Sequence, residues 1–82
     1  MKQVTFTYNE REYSCSMEES TEALPYFYWC FFEDESLVQE IGDSITFEYD
    51  GTNLETTEIY PKKYEAMIAE IKEKEAAYIH QL

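Results

Sequence analysis

One histidine, two cysteines and eighteen carboxylates are the side chains of this chain that could do chemistry. Cys15 or Cys30 could act as a nucleophile only beside a base and in a setting that favours the thiolate. Both fall in stretches that read as buried strand, where a thiolate is costly. They are expected to be reduced thiols that serve as small hydrophobes. His80 has no cysteine or aspartate near it in sequence, and a metal site needs several clustered ligands. It reads as a helix-terminal side chain, favourable there when protonated. Gly42 and Gly51 stand alone, so no glycine-rich loop is present to cradle a phosphate.

The carboxylates leave two further chemistries to weigh. Glu33, Asp34 and Glu35 are consecutive, whereas a calcium loop spaces its ligands at alternate positions around a glycine. This run reads as a solvated cluster at a helix entrance. Paired carboxylates for glycoside hydrolysis need a cleft, and 82 residues leave little room for one. The expectation is a protein without catalysis, metal or cofactor.

What the carboxylates do provide is charge. Eighteen acidic against six basic side chains give a net charge of −12, beyond the magnitude of roughly 2 to 8 usual for a small domain. Residues 1–61 hold fourteen acids against Lys2 and Arg11, and residues 62–82 hold four glutamates against four lysines. Between Arg11 and Lys62 lie thirteen carboxylates and no cation. Direct binding of nucleic acid rests on Lys and Arg neutralising phosphates, so it is not expected.

The elements that position these charges follow from the apolar pattern. An apolar content of 44% with 17% aromatics is too high for a disordered chain. Val4, Phe6 and Tyr8 alternate with Thr5 and Thr7. Tyr13, Cys15 and Met17 alternate with Glu12, Ser14 and Ser16. This predicts a hairpin with one buried face. Residues 18–25 form a polar connection with room for one helical turn that Pro25 would close. Tyr26 to Phe32 are seven consecutive apolar residues, the mark of a strand covered on both faces. If one face is left open, its rings form an exposed patch.

Ser36 and Gln39 fit a capping box for a short helix whose face is Leu37, Val38 and Ile41, with Gly42 just past its end. Ile45, Phe47 and Tyr49 alternate next, and Asp50-Gly51 signals a tight hairpin. Residues 53–59 make a polar edge strand. Pro61 opens a final helix with a stripe of Tyr64, Met67, Ile68, Ile71, Tyr78, Ile79 and Leu82, interrupted at Lys74 and Glu75. Glu70 and Lys74 have the favourable i, i+4 orientation.

The resulting class is α+β, a single domain over residues 1–82. Its order is ββ-β-α-ββ-α, an antiparallel or mixed sheet of about five strands with the C-terminal amphipathic helix packed on one face. Val4–Asn9 echoes Ile45–Asp50 at three identical positions of six. Convergent patterning of two hairpins accounts for this, and a duplicated ββα unit is the alternative.

No run approaches the roughly 20 apolar residues of a membrane helix, and the first residues lack the pattern of a signal peptide. A cytoplasmic location is expected. In composition the chain resembles the small acidic inhibitors of phages and mobile elements, including anti-CRISPR proteins and DNA mimics. No motif carries the resemblance, so no residue role transfers. It implies an acidic binding protein that occupies the basic, nucleic-acid-binding surface of a partner protein. The candidate contacts are Glu33, Asp34, Glu35, Glu40 and Asp43 around the short helix, with Glu48, Asp50, Glu55 and Glu58 on the second hairpin. The alternative is a structural or assembly module that associates, as a homodimer or with another subunit, through its aromatic or edge strand.

Overall fold

The computed structural model describes the backbone of residues 2–79 and the side chains of residues 2–77. His80, Leu82 and the side chains of Tyr78 and Ile79 lie outside the described residues. Five strands form one sheet: β1 (Lys2–Tyr8), β2 (Arg11–Ser20), β3 (Tyr26–Phe32), β4 (Ser44–Tyr49) and β5 (Leu54–Thr56). Helix α1 (Glu35–Ile41) joins β3 to β4, and α2 (Glu65–Ile79) follows β5. Every pairing is antiparallel and the strands lie in chain order. The reason is connection length. Residues 33–43, the longest link between strands, fall short of the dozen or so that a parallel crossover requires.

Each connection has a local cause. Asn9 and Glu10 carry φ of 55° and 66°, so the first hairpin turns on two left-handed residues, the geometry that suits the twist of paired strands. β2 runs on to Ser20, and residues 22–25 form a bend rather than the expected helical turn. Pro25 enters β3 through a cis peptide bond with Leu24. The cap of α1 is Asp34, not Ser36: its Oδ1 accepts the backbone N–H of Ser36 at 2.9 Å and also the Ser36 hydroxyl. A carboxylate two residues upstream reached the free N–H groups first. The second hairpin is wider than Asp50-Gly51 alone implies. Asp50 Oδ1 accepts from the N–H groups of Thr52 and Asn53, which holds residues 50–53 as a four-residue loop. β5 is three residues long, shorter than the predicted edge strand. Pro61 precedes a 3-10 turn, Lys62–Tyr64, which leads into α2.

The core lies on one face of the sheet. Val4, Phe6, Cys15, Met17, Tyr28, Cys30, Phe32, Ile45, Phe47 and Leu54 point into it from the strands. Leu37 of α1 and Met67 and Ile71 of α2 join the same cluster, with Tyr64 from the 3-10 turn. The helical stripe does not break where its sequence turns polar. Glu75 is fully buried, one turn beyond Ile71. Two side chains of α2 also cap the exposed edge of β1. Glu70 Oε1 accepts the N–H of Thr7 at 2.8 Å, and Lys74 Nζ donates to the carbonyl of Thr5. The Glu70–Lys74 pair itself closes at 3.3 Å.

Candidate functional site

The second face of the sheet is where the fold leaves chemistry on view. Strand alternation puts Phe27, Trp29 and Phe31 of β3 opposite the core residues Tyr28, Cys30 and Phe32. Among the described residues, helices therefore cover β3 on one face only, a correction to the seven-residue apolar run read as buried on both sides. The physical reason is that the buried side chains of both helices join the cluster on the other face. Phe27 and Trp29 are half-buried and stack at 6.2 Å between centroids, with planes 20° apart. Phe31 is 38% exposed.

The residues flanking this aromatic row come from registered neighbours. Trp29 pairs with Glu18 on β2 and Thr46 on β4. Phe27 pairs with Ser20 and Glu48, and Phe31 with Ser16 and Ser44. Directly opposite residues have Cβ atoms about 5 Å apart. The same alternation places Glu12 of β2, Glu33 just past β3, and Glu55 of β5 on this face. No strand contributes a cation to it: Lys2 and Arg11, the cations on the strands, pair with Met17 and Tyr8 and belong to the core-facing set. Lysines reach only its rims, Lys74 at Thr5 and Lys72 at Glu55.

The nine carboxylates expected to make one contact surface divide into different roles. Glu33 accepts from Gln3 at 2.9 Å and from the Ser16 hydroxyl at 2.8 Å. Asp34 caps α1, and the Ser36 hydroxyl and N–H hold its carboxyl below the usual range. Asp50 is likewise lowered, by the N–H groups of Asn53 and Thr52. Glu40 faces the core side of the sheet instead. Its Oε2 accepts the Tyr8 hydroxyl at 2.6 Å and the Tyr64 hydroxyl at 2.9 Å, and Lys63 stands 3.9 Å away. Those hydrogen bonds lower Glu40, and the bond to Glu40 pushes Tyr8 up to about 12. Glu55 pairs with Lys72 at 3.1 Å. Glu35, Asp43, Glu48 and Glu58 are the nominated acids whose side chains make no hydrogen bond or ion pair among the described residues.

The nine therefore do not form one patch. Glu33, Glu48 and Glu55 share the open face, Asp34 and Glu35 stand at the start of α1 with Asp43 just past its end, Glu40 turns from α1 to the tyrosine hydroxyls, and Asp50 and Glu58 sit in loops. Glu12 and Glu18 were missed. Their signal was available: in β2 they alternate with Tyr13, Cys15 and Met17, so they take the opposite face.

Among the described residues, no group of three or more His, Cys, Asp or Glu could hold a metal ion. Cys15 and Cys30 are buried and unlinked. Cys30 donates its thiol to Glu75 Oε1 at 2.9 Å. Its hydrogen bond with Cys15, then burial, pushes this thiol up, away from the reactive thiolate. Burial raises Glu75 to about 7, opposed by the bond from Cys30. A groove of about 380 Å³ between α2 and the β4–β5 loop is lined by Tyr49, Leu54, Ala69 and Ala76 and holds the Lys72–Glu55 pair. Among the described residues, its lining includes no cysteine or aspartate. Among the described residues, no helix is long and apolar enough to cross a membrane. Compared with protein-family models, curated proteins and solved structures, the chain matches none.

Proposed function

We propose that the chain is a non-enzymatic acidic binding protein that presents the open face of its sheet to a basic surface of a partner protein. The observation that carries this reading is the composition of that face: Glu12, Glu18, Glu33, Glu48 and Glu55 surround an aromatic row, and no strand cation neutralises them. A field of one sign steers basic surfaces toward it and repels acidic ones. In a cell the strongly basic protein surfaces are those that hold nucleic acid. Occupying one would block it, the mode of action of small acidic inhibitors and DNA mimics of phages and mobile elements. The acids near α1, Asp34, Glu35 and Asp43, extend the negative field beyond the sheet.

A second reading has its own support. Phe31 is 38% exposed beside Trp29 and Phe27, and an open aromatic face also suits an assembly module that joins a second subunit. Salt separates the two. The test is capture from a nuclease-treated lysate on the immobilised chain, followed by a salt ramp. A nucleic-acid-handling protein released at moderate salt, and no longer captured by the E12K/E18K/E48K variant, supports the acidic-inhibitor reading. Retention that ignores both salt and charge reversal sinks it and leaves the assembly module.

A further inference from the structure

We infer that Trp29 and Phe27, bracketed by Glu18 and Glu48, form a subsite that takes arginine side chains of the partner in preference to lysine. The inference rests on the proposed binding role of the open face and names the chemistry that this face selects.

Three observations carry it. The first is the accessibility of the rings. Four of the six strand positions flanking Phe27, Trp29 and Phe31 are Ser16, Ser20, Ser44 and Thr46, too short to cover an indole or phenyl face. The rings stay half-buried because they cover one another, with Phe27 against Trp29 at 6.2 Å. The second is the placement of the other two flanking residues. Glu18 stands opposite Trp29 on β2 and Glu48 opposite Phe27 on β4, so one carboxylate borders the ring pair on each side. The third is that neither carboxylate is engaged: Glu18 and Glu48 make no side-chain hydrogen bond or ion pair among the described residues. Glu33 and Glu55, by contrast, are occupied by Ser16 and Lys72.

A flat aromatic surface beside free carboxylates matches a guanidinium better than an ammonium. The guanidinium is planar, stacks on ring faces and offers a fork of donors to a carboxylate. Lysine carries a compact, strongly hydrated charge that gains the Coulomb attraction but not the stacking. A field without the rings would attract both cations alike. The rings without the field would attract an apolar surface, such as a second copy of this chain.

The test uses Trp29 as its own probe, since it is the only tryptophan in the chain. The full chain is titrated at physiological salt with two short peptides of equal charge, one bearing arginines and the other lysines at the same positions. Trp29 emission is followed in both. The arginine peptide is expected to perturb the emission and to bind on the order of tenfold more tightly than the lysine peptide. The E18Q/E48Q variant, altered only at exposed positions, should lose most of that binding with no fall in its unfolding midpoint. The F27S variant should lose the arginine preference while still attracting both peptides weakly.

Equal affinity for the two peptides overturns the subsite and leaves general acidic attraction standing. Binding to both that the E18Q/E48Q variant does not weaken overturns it as well. If neither peptide perturbs Trp29 but basic proteins are still captured from lysate, the subsite fails and the broader reading survives. If Trp29 emission instead shifts as the concentration of the chain alone is raised, the face is covered by a second copy and the arginine subsite is wrong.

Discussion

At the scale of single residues, Glu75 is the side chain most at odds with its surroundings. It is a carboxyl with no exposed surface, partnered at Oε1 by Cys30 and with Oε2 unpaired. A buried carboxylate is costly, so the group keeps its proton to an unusually high pH. Unfolded, it titrates near 4.5; folded, near 7. Below pH 4.5 both states carry the proton and the group imposes no penalty. Between 4.5 and 7 only the unfolded chain releases it, so stability falls through that window by on the order of 3 kcal/mol. Above pH 7 the penalty is constant. Urea unfolding of the chain and of E75Q at several pH values tests this. The stability difference between them should shift in favour of E75Q as pH rises from 4.5 to 7. Parallel curves would mean that Glu75 titrates alike in both states. Its residue type gives no sign of this burial, because glutamate beside Lys74 reads as solvated. Only its position four residues past Ile71 places it on the apolar stripe.

At the scale of elements, period 2 was readable wherever one face was polar. Val4, Phe6, Cys15, Met17, Ile45 and Phe47 are all buried as their alternation requires. In Tyr26–Phe32 both faces are aromatic, so the alternation is invisible and the open face cannot be told from a covered one. The helix ends were half legible. Asp34 and Ser36 are both good caps, and geometry rather than composition chose the first. The other end of α1 was read correctly at Gly42, and it carries a further consequence. Gly42 has φ 123° and ψ 177° and donates its N–H to the carbonyl of Val38 at 2.9 Å. That backbone region is essentially reserved for glycine. A Cβ built there meets no atom within 4 Å, so a substitution clashes with nothing outside its own backbone. G42A should therefore cost about 1–3 kcal/mol through strain alone. A lowered denaturation midpoint with an unchanged m-value is the expected result. Wild-type stability would show that the chain leaves this conformation at no cost.

At the scale of the whole molecule, the sequence located the charge but not its arrangement. The deficit of cations before Lys62 was plain, yet which carboxylates are engaged depends on partners distant in sequence. Glu40 meets Tyr8 and Tyr64, Glu33 meets Gln3, and Glu55 meets Lys72. After these contacts the molecule still carries a large surplus of like charge. Among the described residues three ion pairs form, Lys63–Glu40, Lys72–Glu55 and Lys74–Glu70, each on side chains at least a third exposed. Exposed pairs contribute little. Self-repulsion should therefore outweigh attraction in the folded chain. The longest dimension is 34 Å, and the Debye length is about 30 Å at 0.01 M salt but about 3 Å at 1 M. In dilute buffer nearly every carboxylate feels every other, and in strong salt almost none does. Raising sodium chloride across that range should raise the thermal midpoint of the free chain. The same screening should loosen any basic partner, so salt would act in opposite directions on the isolated fold and on its complex. Differential scanning calorimetry of the free chain at both ionic strengths measures the first half. A midpoint that falls with salt would show that the three ion pairs outweigh the repulsion, and the surplus charge would then be a weaker force than the proposed binding role requires.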